Sequence, residues 1–183
     1  MRPELARRGL MPVERIFRAA TRSQPIPGIN TFLLSIHPYQ GAPVALPDGT
    51  EVRRGATIGE IHFWNEHIAT GYTAADNREL LWRFKQDLEA DLRRLADHDA
   101  AGNLPADLVA FLGVTPLASV AGRLGFTRVE LAPAFNLRLI TLWQRLLGRV
   151  FRPAGHQRPN RLLSGACWIS RQGLQQRYGS ARP

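Results

Sequence analysis

Hydrophobic and polar positions alternate in short runs through the first third of the chain. Residues 32–37, Phe-Leu-Leu-Ser-Ile-His, follow this pattern, and residues 58–63, Ile-Gly-Glu-Ile-His-Phe, follow it again. Successive side chains of a strand point to opposite faces, so both runs predict strands. Between them, Asp48-Gly49 is a strong signal for a tight turn. We therefore expect a small antiparallel sheet or partial barrel over roughly residues 30–68.

The hydrophobic period then changes from that of strands to that of helices. The apolar stripe of the first long helix consists of Leu81, Phe84, Leu88, Leu92 and Leu95. Charged residues occupy the opposite face, so an amphipathic helix ending near Asp97 is predicted. Further helices are predicted over residues 106–111 and 135–151. A terminal helix is expected over residues 170–178, with Ser170 as its N-cap.

These elements predict the α+β class, with a small N-terminal sheet packed against about four helices. We expect an N-terminal basic extension over residues 1–28 and a single domain over residues 29–183. A chain of 183 residues is long enough to bury a substantial core. Its one cysteine, Cys167, excludes an internal disulfide and argues against a cysteine-based metal site.

The chain contains no apolar run of the length that a membrane-spanning helix needs. Its first thirty residues are rich in Arg and Pro and lack the apolar core of a secretory signal. We therefore expect a cytoplasmic protein, or one domain of a larger one, with peripheral contact at the inner membrane face as a further option.

The net charge of +9 is unevenly distributed along the chain. Residues 1–22 carry +4 and residues 48–107 carry −5, whereas residues 123–183 carry +10 from eleven Arg and one Glu. Such asymmetry indicates a polyanionic partner, which we expect to be an anionic lipid surface or an acidic protein. Alternatively, a GC-rich genome enriches Arg without any selection for binding, because Lys85 is the only lysine.

The predicted helix over residues 135–151 is the main candidate for contact with an anionic partner. The candidate binding residues are Arg138, Arg145, Arg149 and Arg152. A wide apolar face that contains Trp143 and is edged by Arg is typical of an interfacial membrane helix. A core helix with a narrow solvated Arg stripe is the more ordinary interpretation, and a partner-protein groove is a third.

Specific nucleic-acid binding is not expected, despite the basic C-terminal third. A faint helix-turn-helix pattern covers residues 108–124, but its second helix offers Arg123 as its only charged side chain. Base readout requires polar side chains on the helix that enters the groove. Nonspecific contact with phosphates would carry no sequence information.

A candidate polar site lies on the second predicted strand. Glu60 and His62 share one strand face, Asn65 follows just beyond it, and His37 joins them if the two strands pair. A histidine beside a carboxylate can act as a general acid or base. The ordinary alternative is a solvated strand face or a hydrogen-bonded structural histidine. A metal would need another ligand, such as His67, so we predict neither a metal nor a cofactor.

Four short motifs, in this order, resemble the YkoP-like domain, which also occurs attached to bacterial polysaccharide deacetylases. They are the segments 37–41 (His-Pro-Tyr-Gln-Gly), 46–50 (Leu-Pro-Asp-Gly-Thr), 59–65 (Gly-Glu-Ile-His-Phe-Trp-Asn) and 168–179, from Trp-Ile-Ser to Arg-Tyr-Gly. The likeness covers roughly residues 30–180 and implies an α+β accessory domain. The paired Asp and His-x-x-x-His set of the deacetylase is missing, so deacetylase activity is not expected.

The preferred hypothesis is a non-catalytic accessory module that binds an anionic partner, first of all a membrane surface, through its Arg-rich C-terminal third. The alternative is a small enzyme of unknown specificity that uses His62 and Glu60 as an acid–base pair. Reversal of the charges at Arg145 and Arg149 distinguishes the two, because only membrane binding depends on them.

Overall fold

A five-stranded mixed sheet lies at the centre of the computed structural model, which describes residues 18–64, 67–68, 77–115, 118–129 and 165–180. The strands are β1 (Phe32–Pro38), β2 (Val44–Ala45), β3 (Glu51–Val52), β4 (Thr57–Phe63), β5 (Leu108–Thr115), β6 (Thr127–Val129) and β7 (Gly165–Ser170). The large sheet has the order β1-β4-β5-β7-β6, and β2 and β3 form a separate two-stranded ribbon. The helices are α1 (Asn77–Ala100), α2 (Ala118–Arg123) and α3 (Arg171–Tyr178), and residues 18–21 add one helical turn.

The predicted pairing of the two N-terminal strands is confirmed. β1 and β4 are antiparallel, with Ser35 opposite Glu60 and Leu33 opposite His62. β4 and β5 are parallel, and the long helix α1 supplies the crossover that parallel neighbours require. β7 then pairs antiparallel with both β5 and β6.

The predicted α+β class is confirmed, but the sheet extends beyond the N-terminal third because three later strands join it. The prediction of a helix over residues 106–111 was wrong, since Leu108 begins β5, a central strand. A strand that is covered on both faces shows a continuous apolar run in place of alternation, so its sequence does not reveal the strand period.

The two faces of the sheet pack against different partners. On one face α1 and α3 bury a core that includes Phe32, Leu92, Phe111, Ile169 and Leu174. On the other face the β2–β3 ribbon contributes Leu46 and Val52 to a smaller core with Ile58, Leu112 and Trp168. The candidate polar residues of β1 and β4 lie on this second face.

Two helix predictions agree with the structure. α1 continues to Ala100, three residues beyond the predicted end. Ser170 caps α3 as predicted, because its Oγ accepts the Gly173 N–H at 2.7 Å. The same hydroxyl donates to Asp48 Oδ2, which ties the turn between β2 and β3 to the start of α3.

The segment before β1 pairs with the sheet. Gln24 and Leu34 exchange two backbone hydrogen bonds, of 2.8 and 2.9 Å. Asp91 of α1 anchors the same region, because its buried Oδ2 accepts the N–H groups of Asn30 and Thr31 at 2.9 and 2.8 Å. The boundary at residue 28 stays a prediction.

The predicted helix over residues 135–151 lies outside the described residues, as do all four arginines proposed for anionic-partner binding: Arg138, Arg145, Arg149 and Arg152. Within the described part of the chain, no helix is both long and apolar enough to cross a membrane.

Candidate functional site

Three of the four candidate polar residues converge on one face of the sheet. The β1–β4 register places His37 and His62 on either side of Glu60. The Nε2 of His37 lies 3.0 Å from Glu60 Oε2, and the Nε2 of His62 lies 3.8 Å from Glu60 Oε1. Asn65, the fourth candidate, is outside the described residues.

The three side chains lie at different depths. The exposed fraction of the side chain is 37% for His37, 24% for Glu60 and 13% for His62. Ser35, directly opposite Glu60, is buried and donates its hydroxyl to the Thr21 carbonyl at 2.5 Å. Glu60 is therefore positioned between an outer and an inner imidazole, and the neighbouring hydroxyl is held by a backbone contact.

Burial holds the pKa of His62 below its usual value. The negative charge of Glu60 raises this pKa, and the charge of His37 lowers it, but burial has the larger effect. His62 is consequently a neutral imidazole at neutral pH, the form that can accept a proton.

The cluster is suited to proton exchange and to hydrogen bonding. A carboxylate beside a neutral imidazole can orient the ring and stabilise it when it takes up a proton, as general acid–base catalysis requires. Within the described ranges, no set of three His, Cys, Asp or Glu side chains has the arrangement of a metal site. His67, the further ligand considered from the sequence, stacks on Trp64 with ring centroids 4.9 Å apart.

Two arginines of the basic C-terminal third make contacts within the fold. Arg171 pairs with the buried Asp99 through Nε and Nη2, at 3.0 and 2.7 Å. Arg177 donates from Nη2 to the Arg123 carbonyl at 2.6 Å. The sequence gives no local signal of the Asp99–Arg171 pair, because the two residues lie 72 positions apart.

An apolar groove opens on the other face of the sheet, beside α1. It has a volume of about 520 Å³ including the solvent at its mouth, and its lining includes Ile61, Phe63, Phe84, Leu88 and Phe126. Ile61 and Phe63 alternate with Glu60 and His62 along β4, and both pack against the helix-side core. The groove therefore shares no face with the polar cluster.

The fold and this cluster define an α+β domain that carries a half-buried histidine–carboxylate site on one sheet face. A family model described as the YkoP domain matches residues 4–178, so the chain belongs to the YkoP domain family. No curated protein and no solved structure matches the chain.

Proposed function

We propose that this YkoP-domain protein is a non-catalytic accessory module that binds an anionic membrane surface through its Arg-rich C-terminal third. The observation that carries the proposal is the net charge of +10 over residues 123–183, against −5 over residues 48–107. A basic side chain near an anionic bilayer contributes about 1 kcal/mol of attraction. Several such side chains on one segment would support peripheral binding at the inner membrane face.

Two arginines of the C-terminal third make contacts within the fold and are not candidates for partner binding. Arg171 and Arg177 bond to groups of the fold, so their role is structural. Among the nine other arginines of residues 123–183, the candidates for the membrane are the four on or directly after the predicted helix over residues 135–151: Arg138, Arg145, Arg149 and Arg152. Their spacing along an apolar segment with Trp143 supports an orientation in which apolar side chains enter the interface and Arg contacts the lipid headgroups.

Flotation of the purified protein with liposomes tests this proposal. The wild type should float with anionic vesicles at low salt, but not with neutral ones, and salt should weaken the binding because it screens exposed charges. Arg145→Glu combined with Arg149→Glu should abolish flotation.

The matched control is Arg53→Glu combined with Arg54→Glu, at the exposed turn between β3 and β4. Each reversal lowers the net charge by two, so both double variants carry +5 in place of +9. The control should retain most of the binding, since its charges lie outside the proposed surface. Equal loss in the two variants would mean that only total charge matters. Binding to neither vesicle would leave an acidic protein as the anionic partner to test.

The second candidate is a small enzyme in which His62 and Glu60 act as an acid–base pair. The convergence of His37, Glu60 and His62 on one face favours it. The hydrolysis of p-nitrophenyl acetate, a general probe of imidazole reactivity, should then fall to the level of the buffer in His62→Asn. It should be unchanged in the Arg145 and Arg149 double variant. Vesicle binding should show the opposite dependence: it should be lost in the Arg145 and Arg149 double variant and unchanged in His62→Asn.

A further inference from the structure

A row of paired residues crosses four strands of the sheet at the apolar groove. Ile61 of β4 is opposite Gly113 of β5, which is opposite Cys167 of β7, and all three line the groove. Cys167 is in turn opposite Arg128 of β6, the strand at the edge of the sheet. The row is therefore apolar inside the sheet and ends in a cation at the edge.

The middle of this row is open because its residues are small. Gly113→Ala would place its Cβ 3.9 Å from the Ile61 carbonyl oxygen, its nearest neighbour among the described residues. Larger apolar side chains form the walls of the groove: Phe84, Leu88 and Leu92 of α1, Leu124 directly after α2, and Phe126. The floor of small residues between these walls leaves room for a narrow apolar ligand.

The dimensions of the groove suit an extended acyl chain. Its volume of about 520 Å³, which includes the solvent at its mouth, falls in the range of about 300–1,000 Å³ that is typical of small-molecule sites. Three strand spacings of about 4.8 Å separate Ile61 from Arg128, or about 14 Å in all. A chain of medium length, such as that of decanoic acid, matches this span when it is extended.

Arg128 lies where it can bind the charged end of such a ligand. It is exposed, and it shares a strand face with Phe126, two positions earlier, which lines the groove. Its Nε lies close over Gly165, because a Cβ at Gly165 would be 3.0 Å from that nitrogen. Burial raises the pKa of the Cys167 thiol, whereas the nearby positive charge of Arg128 lowers it. Within the described residues, no hydrogen bond or ion pair holds the Arg128 guanidinium, so its charge is available to an anion.

We propose that the groove binds a medium-chain fatty acid, whose acyl chain lies along the row from Ile61 to Cys167 and whose carboxylate pairs with Arg128. The apolar lining accepts a chain without polar atoms, since a buried polar group without a partner would be costly. A carboxylate complements the charge and the geometry of a guanidinium. The site is independent of the membrane-binding proposal, because none of its residues lies in the predicted helix over residues 135–151.

Isothermal titration calorimetry of the full chain with sodium decanoate, below the concentration at which it forms micelles, tests the proposal. The wild type should bind decanoate at a single site. Octanoate, which is shorter by two methylenes, should bind about 15-fold more weakly, because each buried methylene strengthens binding about fourfold. Decanol, which has the same chain length without the charge, should bind more weakly than decanoate.

Two variants test the two ends of the site separately. Arg128→Gln should weaken decanoate binding about tenfold, because a charge-assisted contact is lost, and should leave decanol binding unchanged. Arg54→Gln is the matched control, since it makes the same change of charge at the exposed turn between β3 and β4 and should affect neither ligand. Gly113→Leu should abolish the binding of both ligands, because its side chain fills the floor of the groove. Circular dichroism establishes that each variant is folded, and Gly113→Val replaces Gly113→Leu if the latter unfolds.

Several results would overturn the proposal. Unchanged decanoate binding in Gly113→Leu would exclude the groove as the site, and an equal loss in Arg128→Gln and Arg54→Gln would exclude Arg128 as the partner of the carboxylate. No binding by the wild type would refute a fatty acid as the occupant. A changed oligomeric state of Gly113→Leu would then indicate a second copy of the chain in the groove, and an unchanged state would leave a segment of the same chain.

The outcome is distinct from that of the membrane-binding proposal. Arg145→Glu combined with Arg149→Glu should abolish flotation with anionic liposomes and leave the binding of decanoate unchanged. If this double variant lost as much decanoate binding as Arg128→Gln, the attraction would come from the net charge of the chain, and the assignment of the carboxylate to Arg128 would be wrong.

Discussion

Arg171→Ala removes the side chain that joins the start of α3 to the end of α1. The guanidinium contacts Asp99 through two nitrogens, Nε at 3.0 Å and Nη2 at 2.7 Å. The Asp99 side chain is only 3% exposed, and that of Arg171 is 28% exposed. Arg171 Nη1 also donates to the Ala106 carbonyl at 2.7 Å. The substitution therefore leaves a buried carboxylate without its cation.

The free-energy cost follows from this geometry. Removal of one partner of a buried ion pair costs about 3–5 kcal/mol, because the remaining charge stays desolvated. We expect the lower end, since Gln175 Nε2 still donates to Asp99 at 2.7 Å and Arg171 is partly exposed. A loss of about 3 kcal/mol corresponds to a fall in Tm of about 6–12 °C for a domain of this size.

Urea unfolding, followed by far-UV circular dichroism, measures the loss. The control is Arg53→Ala, which breaks the ion pair with Glu51 in which the side chains are 77% and 58% exposed. An exposed pair of this kind contributes about 0–1 kcal/mol. If Arg171→Ala lost no more stability than Arg53→Ala, the structural role of Arg171 would be refuted.

Three further predictions concern the sheet and the polar cluster. Because burial holds the pKa of His62 below its usual value, the unfolded chain takes up this proton first, so Tm should fall as pH drops below about 6.5 and His62→Asn should reduce that fall. Gly59→Ala would place its Cβ 2.8 Å from Phe111 Cδ1, so we expect urea unfolding to show a loss of about 1–3 kcal/mol. Ser170→Ala removes the N-cap of α3 and should cost about 1 kcal/mol by the same assay, whereas no loss would mean that water replaces the cap.

Local sequence patterns were sufficient to predict several elements of the fold. The alternation of residues 32–37 and 58–63 predicted two strands, and their pairing follows because opposite positions present matching apolar and polar faces. Ser170 was recognisable as an N-cap, since a hydroxyl side chain before a helical run satisfies an unpaired backbone N–H. These features depend on neighbours along the chain or on a single strand pair.

Features that depend on distant parts of the chain were not predicted. β5 is covered on both sides of the sheet, so its apolar run lacked the alternation that identifies a strand. The Asp99–Arg171 pair forms only because α1 and α3 lie side by side, as their mutual contacts show. The strand period predicted that Glu60 and His62 share one face. The different exposures of the His37 and His62 side chains could not be predicted in this way, because they depend on how the rest of the chain packs over the sheet.

Flotation of two variants of equal net charge with anionic liposomes tests membrane binding most directly. Arg145→Glu with Arg149→Glu, and Arg53→Glu with Arg54→Glu, each lower the charge from +9 to +5. At about 1 kcal/mol per basic residue near the surface, the loss of two attractions alone predicts at least about 30-fold weaker binding for the first variant. Binding close to that of the wild type is expected for the second. Equal binding by the two variants would contradict the assignment of the membrane surface to the C-terminal third.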